Sequence, residues 1–145
     1  MSDDLLGNAT FSAIIGGLAG GVTSWIISIR SEKSGRRYAK YSAVEIIVDD
    51  LQCMSTRYWK KAGSDAVLEG EIKVSLERLD LKIQSLLRLF KRSAIETSIN
   101  KYMDELTDEV TGGDFESAKR RKDSVRVMKI GRVCGDIRNY LHGKI

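Results

Sequence analysis

Hydrophobic and polar positions fall into distinct blocks along the chain. No charged residue occurs between Asp4 and Arg30, so Leu5 to Ile29 is an uncharged run of 25 residues. Wound as a helix, that run is about 37 Å long, enough to cross a hydrocarbon core of about 30 Å. Within it Phe11, Ile15, Leu18, Val22, Trp25 and Ile29 recur at steps of four and three, which predicts one bulky apolar face. Ser12, Gly16, Gly20, Ser24 and Ser28 recur at steps of four on another face. Small residues at that spacing let helix backbones approach closely in lipid, where packing drives association. The run therefore predicts a transmembrane helix that packs against copies of itself.

Three other readings of this run compete with that one. A cleaved signal peptide wants a basic start, and here Ser2, Asp3 and Asp4 precede the apolar stretch. A phosphate-cradling loop wants a Lys-Ser or Lys-Thr pair directly after its last glycine, and Gly21 is followed by Val22 and Thr23. A buried soluble helix is the third, since Gly7, Gly16, Gly17, Gly20 and Gly21 lower both hydrophobicity and helix propensity.

From Tyr41 onward the period is that of amphipathic helices. Tyr41, Val44, Val48, Leu51, Ser55 and Tyr58 form one face, ending near Ala62-Gly63-Ser64. Ser64 or Asp65 caps the next helix, in which Leu68, Ile72, Leu76, Leu79, Ile83, Leu86 and Phe90 step by four and three. Val74, Leu81 and Leu89 widen that stripe, a width suited to burial on two sides, as in a bundle core or an oligomer seam. Ser93 with Glu96 predicts the cap of a third helix carrying Ile95, Ile99, Tyr102 or Met103, Leu106 and Val110. Gly112-Gly113 ends it, and Asp114 is the expected cap of a fourth, with Val127, Ile130, Cys134, Ile137 and Leu141 on its face.

Composition supports an all-α reading. The chain has 145 residues and no proline, which suits long unbroken helices. The expected architecture is one N-terminal transmembrane helix with a basic collar, residues 1–35, followed by an oligomeric cytoplasmic bundle of about four helices, residues 36–145. Arg30, Lys33, Arg36, Arg37 and Lys40 lie just beyond the apolar run, and the positive-inside rule places them in the cytoplasm. The expected location is the cell inner membrane, single-pass, with the N-terminus outside. Cys53 and Cys134 are then free thiols, and with the single His142 they make no zinc site.

Charge is sorted as sharply as hydropathy. Ala94 to Glu116 holds seven acids and one base, while Lys119 to Lys144 holds nine bases against Asp123 and Asp136. An acidic third helix lying against a basic fourth accounts for part of this, yet the surplus leaves basic surface without acidic partners. Catalysis has little to stand on, with no Ser-His-Asp set and His142 three residues from the end, so the chain reads as a non-enzyme. Asp104 with Asp108 and Glu105 with Glu109 are spaced to share a cation, but such pairs are more often a solvated helix face. Neither a metal nor a cofactor is expected.

Binding is the better reading. Arg57, Tyr58, Trp59, Lys60 and Lys61 mix aromatics with cations, a combination that stacks on a base and neutralises phosphate. Lys119, Arg120, Arg121, Lys122, Arg126, Lys129 and Arg132 form a second basic stretch. The candidate ligand-binding residues are Arg57, Trp59, Lys60, Arg120, Arg126, Lys129 and Arg132. The competing structural roles are helix C-terminal charge with Trp59 as a packing residue, and a basic face paired with the acidic helix.

A short N-terminal membrane helix, the collar Arg30 to Lys40 and a basic helical domain of about a hundred residues resemble the small membrane effectors of type III CRISPR antiviral defence. Those effectors bind cyclic tetra-adenylate. The resemblance is one of architecture over the whole chain, with no signature motif. It implies a homo-oligomer, a tetramer in that family, whose cytoplasmic domain binds the cyclic oligoadenylate second messenger and triggers pore opening or membrane disruption. The expected partners are then copies of the chain itself, the cyclic nucleotide and membrane lipid. Two alternatives are a membrane-tethered adaptor or scaffold for nucleic acid, lipid or a protein partner, and a holin-like lysis protein.

Overall fold

The computed structural model describes the backbone of residues 5–90 and 93–145 and the side chains of residues 32–90 and 94–145. All regular structure among the described residues is helical: α1 (Leu5–Trp59), α2 (Ala66–Leu87), α3 (Ser93–Thr111) and α4 (Ser124–His142). Two compact units divide the chain, Met1–Arg36 and Arg37–Ile145.

In the first unit α1 ends its described stretch with an exposed ion pair between Glu32 and Arg36, one turn apart. The expected membrane span over Leu5 to Ile29, and the packing role of Ser12, Gly16, Gly20, Ser24 and Ser28, lie outside the described side chains. Among the described residues no helix is long and apolar enough to cross a membrane.

The expected break between an N-terminal helix and a first bundle helix is absent, because α1 runs unbroken from Leu5 to Trp59. The described residues thus form four helices in all. No proline interrupts this stretch, and the mid-helix Gly35 costs only about 1 kcal/mol relative to alanine. The Glu32 to Arg36 pair across it offsets part of that cost.

The second unit is a bundle around one core. Tyr41, Val44, Val48, Leu51 and Tyr58 of α1 are buried against Leu68, Ile72, Leu79, Ile83 and Leu86 of α2 and their equivalents on α3 and α4. Each fully buried side chain of this size contributes about 1.5–3 kcal/mol relative to an exposed one. On α3 the core residues are Ile95, Ile99, Met103, Leu106 and Val110, and on α4 they are Ile130, Val133, Cys134, Ile137 and Leu141. Burial pushes the Cys134 thiol up to about 12. Helix α3 packs on α4 and on α2.

Caps set the starts of α2 and α4. The Asp65 carboxylate accepts from the Leu68 N–H at 3.1 Å, and Glu69 accepts in return from the Asp65 N–H at 3.1 Å. Asp123, rather than the expected Asp114, caps α4 by accepting from the Arg126 N–H at 2.8 Å. Residues 112–123 are instead an irregular connection, with Gly113 and Glu116 both at positive φ. After Phe115 no large apolar residue occurs until Val125, so a helix there would have no face to bury.

Candidate functional site

The C-terminal end of α1 and the 112–123 connection are laced together by backbone hydrogen bonds. The Asp123 N–H donates to the Trp59 carbonyl and the Gly63 N–H to the Arg120 carbonyl, each at 3.0 Å. These pairs put Lys60 and Lys61 beside Arg121 and Lys122 at one end of the bundle, about 33 Å along α1 from Arg37 at 1.5 Å per residue.

Arg120 holds this joint from inside. Its side chain is 2% exposed, and its guanidinium donates to the carbonyls of Tyr58, Lys61 and Gly63, in the last turn of α1 and the four residues after it. The guanidinium carbon lies 3.5 Å from the Tyr58 ring centroid. Tyr58 in turn donates to Glu69 at 2.7 Å and accepts from the Glu116 N–H at 2.9 Å. Burial, reinforced by the bond to Glu69, pushes the Tyr58 phenol up to about 12.

Arg126 does the same for α3. Its Nη1 donates to the carbonyls of Asp108, Glu109 and Gly112 at 3.1 to 3.2 Å, and its guanidinium stands over the Trp59 ring. Trp59 donates from Nε1 to the Val110 carbonyl at 3.1 Å and is 2% exposed. Gly113, at φ +62°, leaves the room this guanidinium fills, since a Cβ there would stand 2.8 Å from Arg126 Nη2.

The seven candidate ligand residues therefore separate. Trp59 offers no free ring face for a base, because Arg126 covers it, Tyr58 meets it edge-on at 5.3 Å, and the helix ends close around it. Arg120 spends Nη1 and Nη2 on main-chain carbonyls and leaves its buried Nε without a partner, and Arg126 spends Nη1 on main-chain carbonyls while its Nε faces the Asp123 carboxylate. Lys129 pairs with Glu109 at 3.0 Å and Arg132 with Glu105, so α4 lies along the acidic helix. Glu105 and Glu109, spaced to share a cation, are thus each taken by a base of α4.

Arg57 and Lys60 are exposed, and neither has an ion pair among the described residues. Arg57 lines a groove between α1 and α2 and a second hollow beside Asp49 and Arg138, and Lys60 lines neither. Lys61, Lys119, Arg121 and Lys122 join Lys60 as exposed cations of the joint. All four stand in the basic stretches of the sequence. The run Lys119-Arg120-Arg121-Lys122 gives no local sign, however, that Arg120 alone turns inward.

A depression of about 230 Å³ opens here, lined by Trp59, Gly113, Asp114, Arg121, Lys122, Asp123 and Arg126. It carries three cations against two carboxylates, a modest positive surplus suited to one phosphate group rather than a deep nucleotide pocket. Among the described residues no cluster of His, Cys, Asp and Glu is placed to hold a metal ion. Compared with known proteins, the chain matches no family, no curated protein and no solved structure.

Proposed function

We propose that the chain is a membrane-tethered, non-enzymatic effector whose helical domain binds a phosphate-bearing ligand at the basic joint between α1 and the 112–123 connection. Cyclic tetra-adenylate is the candidate to which the architectural resemblance points, and membrane opening or disruption is the response. One observation carries the reading: Lys60, Lys61, Lys119, Arg121 and Lys122 are exposed on two hydrogen-bonded segments, and none has an ion-pair partner among the described residues. Like charges gathered this way repel one another until an anion arrives, so binding stabilises the joint.

Because the joint holds the ends of both α1 and α3, a ligand seated there acts on the helix that continues to the N-terminus. A shift from mostly closed to mostly open requires about 5.5 kcal/mol of differential affinity. In an oligomer each subunit supplies only a fraction of that, and four phosphates can meet repeated copies of one cluster.

The test uses the full-length protein in nanodiscs, titrated with labelled cyclic tetra-adenylate, linear oligoadenylate and double-stranded DNA at low and physiological salt. Salt-sensitive binding that Lys60→Glu and Lys122→Glu weaken, and that Arg132→Glu leaves intact, is the expected result. Absence of binding to all three probes at low salt ends the ligand reading. Dye release from liposomes that depends on one probe separates an effector from a passive adaptor.

An adaptor is the second reading, favoured by apolar side chains left exposed on α2. In it the same basic joint is a nucleic-acid or lipid contact and the membrane stays intact.

A further inference from the structure

Helix α2 has a second apolar row that the core does not use. Ile72, Leu79, Ile83 and Leu86 are fully buried, whereas Val67, Val74 and Leu81 are 74%, 55% and 69% exposed. These three are seven residues apart, so they line up along one side of the helix, opposite the core. Alongside them runs an open groove of about 670 Å³ between α1 and α2, with Ile47, Met54, Val67 and Val74 on its walls.

The charges around this row follow the same spacing. Glu71 and Arg78, seven apart and of opposite sign, flank it on the groove side, and Asp50 and Arg57 repeat that arrangement on the α1 wall. Among the described residues none of the four has an ion pair or a side-chain hydrogen bond. Gly70 stands between Val67 and Val74, and a Cβ built on it would meet nothing within 4 Å. Its missing side chain thus serves no packing need among the described residues, and it leaves a seat for a closely approaching helix.

We propose that this face binds the same face of a second copy of the chain, with the two α2 helices antiparallel about a two-fold axis near Val74. Val74 then meets its own counterpart, and Val67 meets Leu81 of the second copy beside the seat at Gly70. Glu71 meets Arg78 of the second copy, twice by symmetry. The charge order selects the direction. A parallel pair sets Lys73 toward Arg78 of the other copy and gives Glu71 only Ala66 to face, so it repels where the antiparallel pair attracts. This self-association is independent of the ligand reading, and either can fail without the other.

Crosslinking of the full-length protein in detergent tests it, in a Cys53→Ser background because Cys53 is exposed and Cys134 is buried. Disulfide formation needs Cα atoms within about 7 Å. Under mild oxidation Val74→Cys should crosslink with itself. Val67→Cys and Leu81→Cys should crosslink when mixed, and neither should do so alone, since each then lies about 21 Å from its own counterpart at 1.5 Å per residue. In sedimentation, Glu71→Arg should weaken association about tenfold, and adding Arg78→Glu in the same chain should restore it. Self-crosslinking of Val67→Cys or Leu81→Cys would show a parallel pair and overturn the proposal. So would the absence of any crosslink in helical, soluble variants.

Discussion

Arg126 stands over Trp59, its guanidinium carbon 4.5 Å from the ring centroid, and from there closes the end of α3 with three hydrogen bonds to carbonyls. The tryptophan and the arginine thus hold one another in a structural role at the joint of α1, α3 and α4. The same two residues, read along the sequence, look like a base-stacking ring and a phosphate-binding cation.

Arg126→Ala should lower stability by about 2–3 kcal/mol, since charge-assisted bonds to carbonyls and a desolvated cation–π contact are lost together. Urea unfolding measures this, and Arg126→Lys should recover less than half, because lysine has no planar guanidinium to lie over the Trp59 ring. Gly113→Ala should cost about 1 kcal/mol or more through its positive φ and its pressure on the same guanidinium.

Replacing Arg120 is expected to cost more. It is buried at 2% exposure and its bonds end α1, so Arg120→Met leaves the carbonyls of Tyr58, Lys61 and Gly63 short of donors. A loss of about 3 kcal/mol or more follows. Arg121→Met, one residue on and exposed, should change stability by less than about 0.5 kcal/mol. Thermal melts of the two variants side by side provide the check, and equal losses would contradict the inward placement of Arg120.

The pairs along α3 and α4 should prove weak. Arg132 with Glu105 and Lys129 with Glu109 lie at a solvent-accessible seam, where each pair contributes about 0.2–1 kcal/mol. Arg132→Glu should destabilise within that range, Glu105→Arg likewise, and the double exchange should recover most of the loss. A double-mutant cycle at low and high salt reads the coupling, which should shrink as salt rises.

Alkaline pH should unfold the bundle from its buried acids. Cys134 and Tyr58 are both held near 12 in the fold, above their ordinary values of 9.0 and 10.0. Their neutral forms are thus favoured by folding, and that stabilisation is fully present below about pH 9. It is lost as pH rises, first between 9 and 12 from Cys134 and then between 10 and 12 from Tyr58. Cys134→Ala should flatten the first part of the decline. Tyr58→Phe should flatten the second while lowering stability at neutral pH, because its bonds to Glu69 and Glu116 are gone. A stability curve unchanged in shape by both substitutions would count against this assignment.

Much of the core was legible from spacing. The faces Tyr41 to Tyr58, Leu68 to Leu86, Ile95 to Val110 and Ile130 to Leu141 follow the 3.6-residue period, and the structure buries most of each. At two places along the chain the local signals are ambiguous. Asp114 and Asp123 are both good caps by residue type, and only the lack of apolar residues between them favours the second. Gly35 and the charges around it lie where the two compact units divide, although α1 passes through them.

The candidate site was legible as composition and illegible as geometry. Two basic stretches with a tryptophan point to anion binding, and the exposed cations Lys60, Lys61, Lys119, Arg121 and Lys122 keep that chemistry. Three of the seven chosen residues, Trp59, Arg120 and Arg126, are engaged in closing helix ends. A cation's partner there is a carbonyl, and every residue has one, so no residue type marks the position.

By itself the sequence determined the helical class, the faces that form the core, the uncharged run of 25 residues and the two-sided apolar stripe of α2. These are properties of period and composition, and they need no knowledge of what packs on what. Only the tertiary structure decided which cations face inward to cap α1 and α3, which pair across α3 and α4, and which stay free. That choice depends on where helix ends meet, a relation between residues 14 to 62 apart that local spacing does not encode.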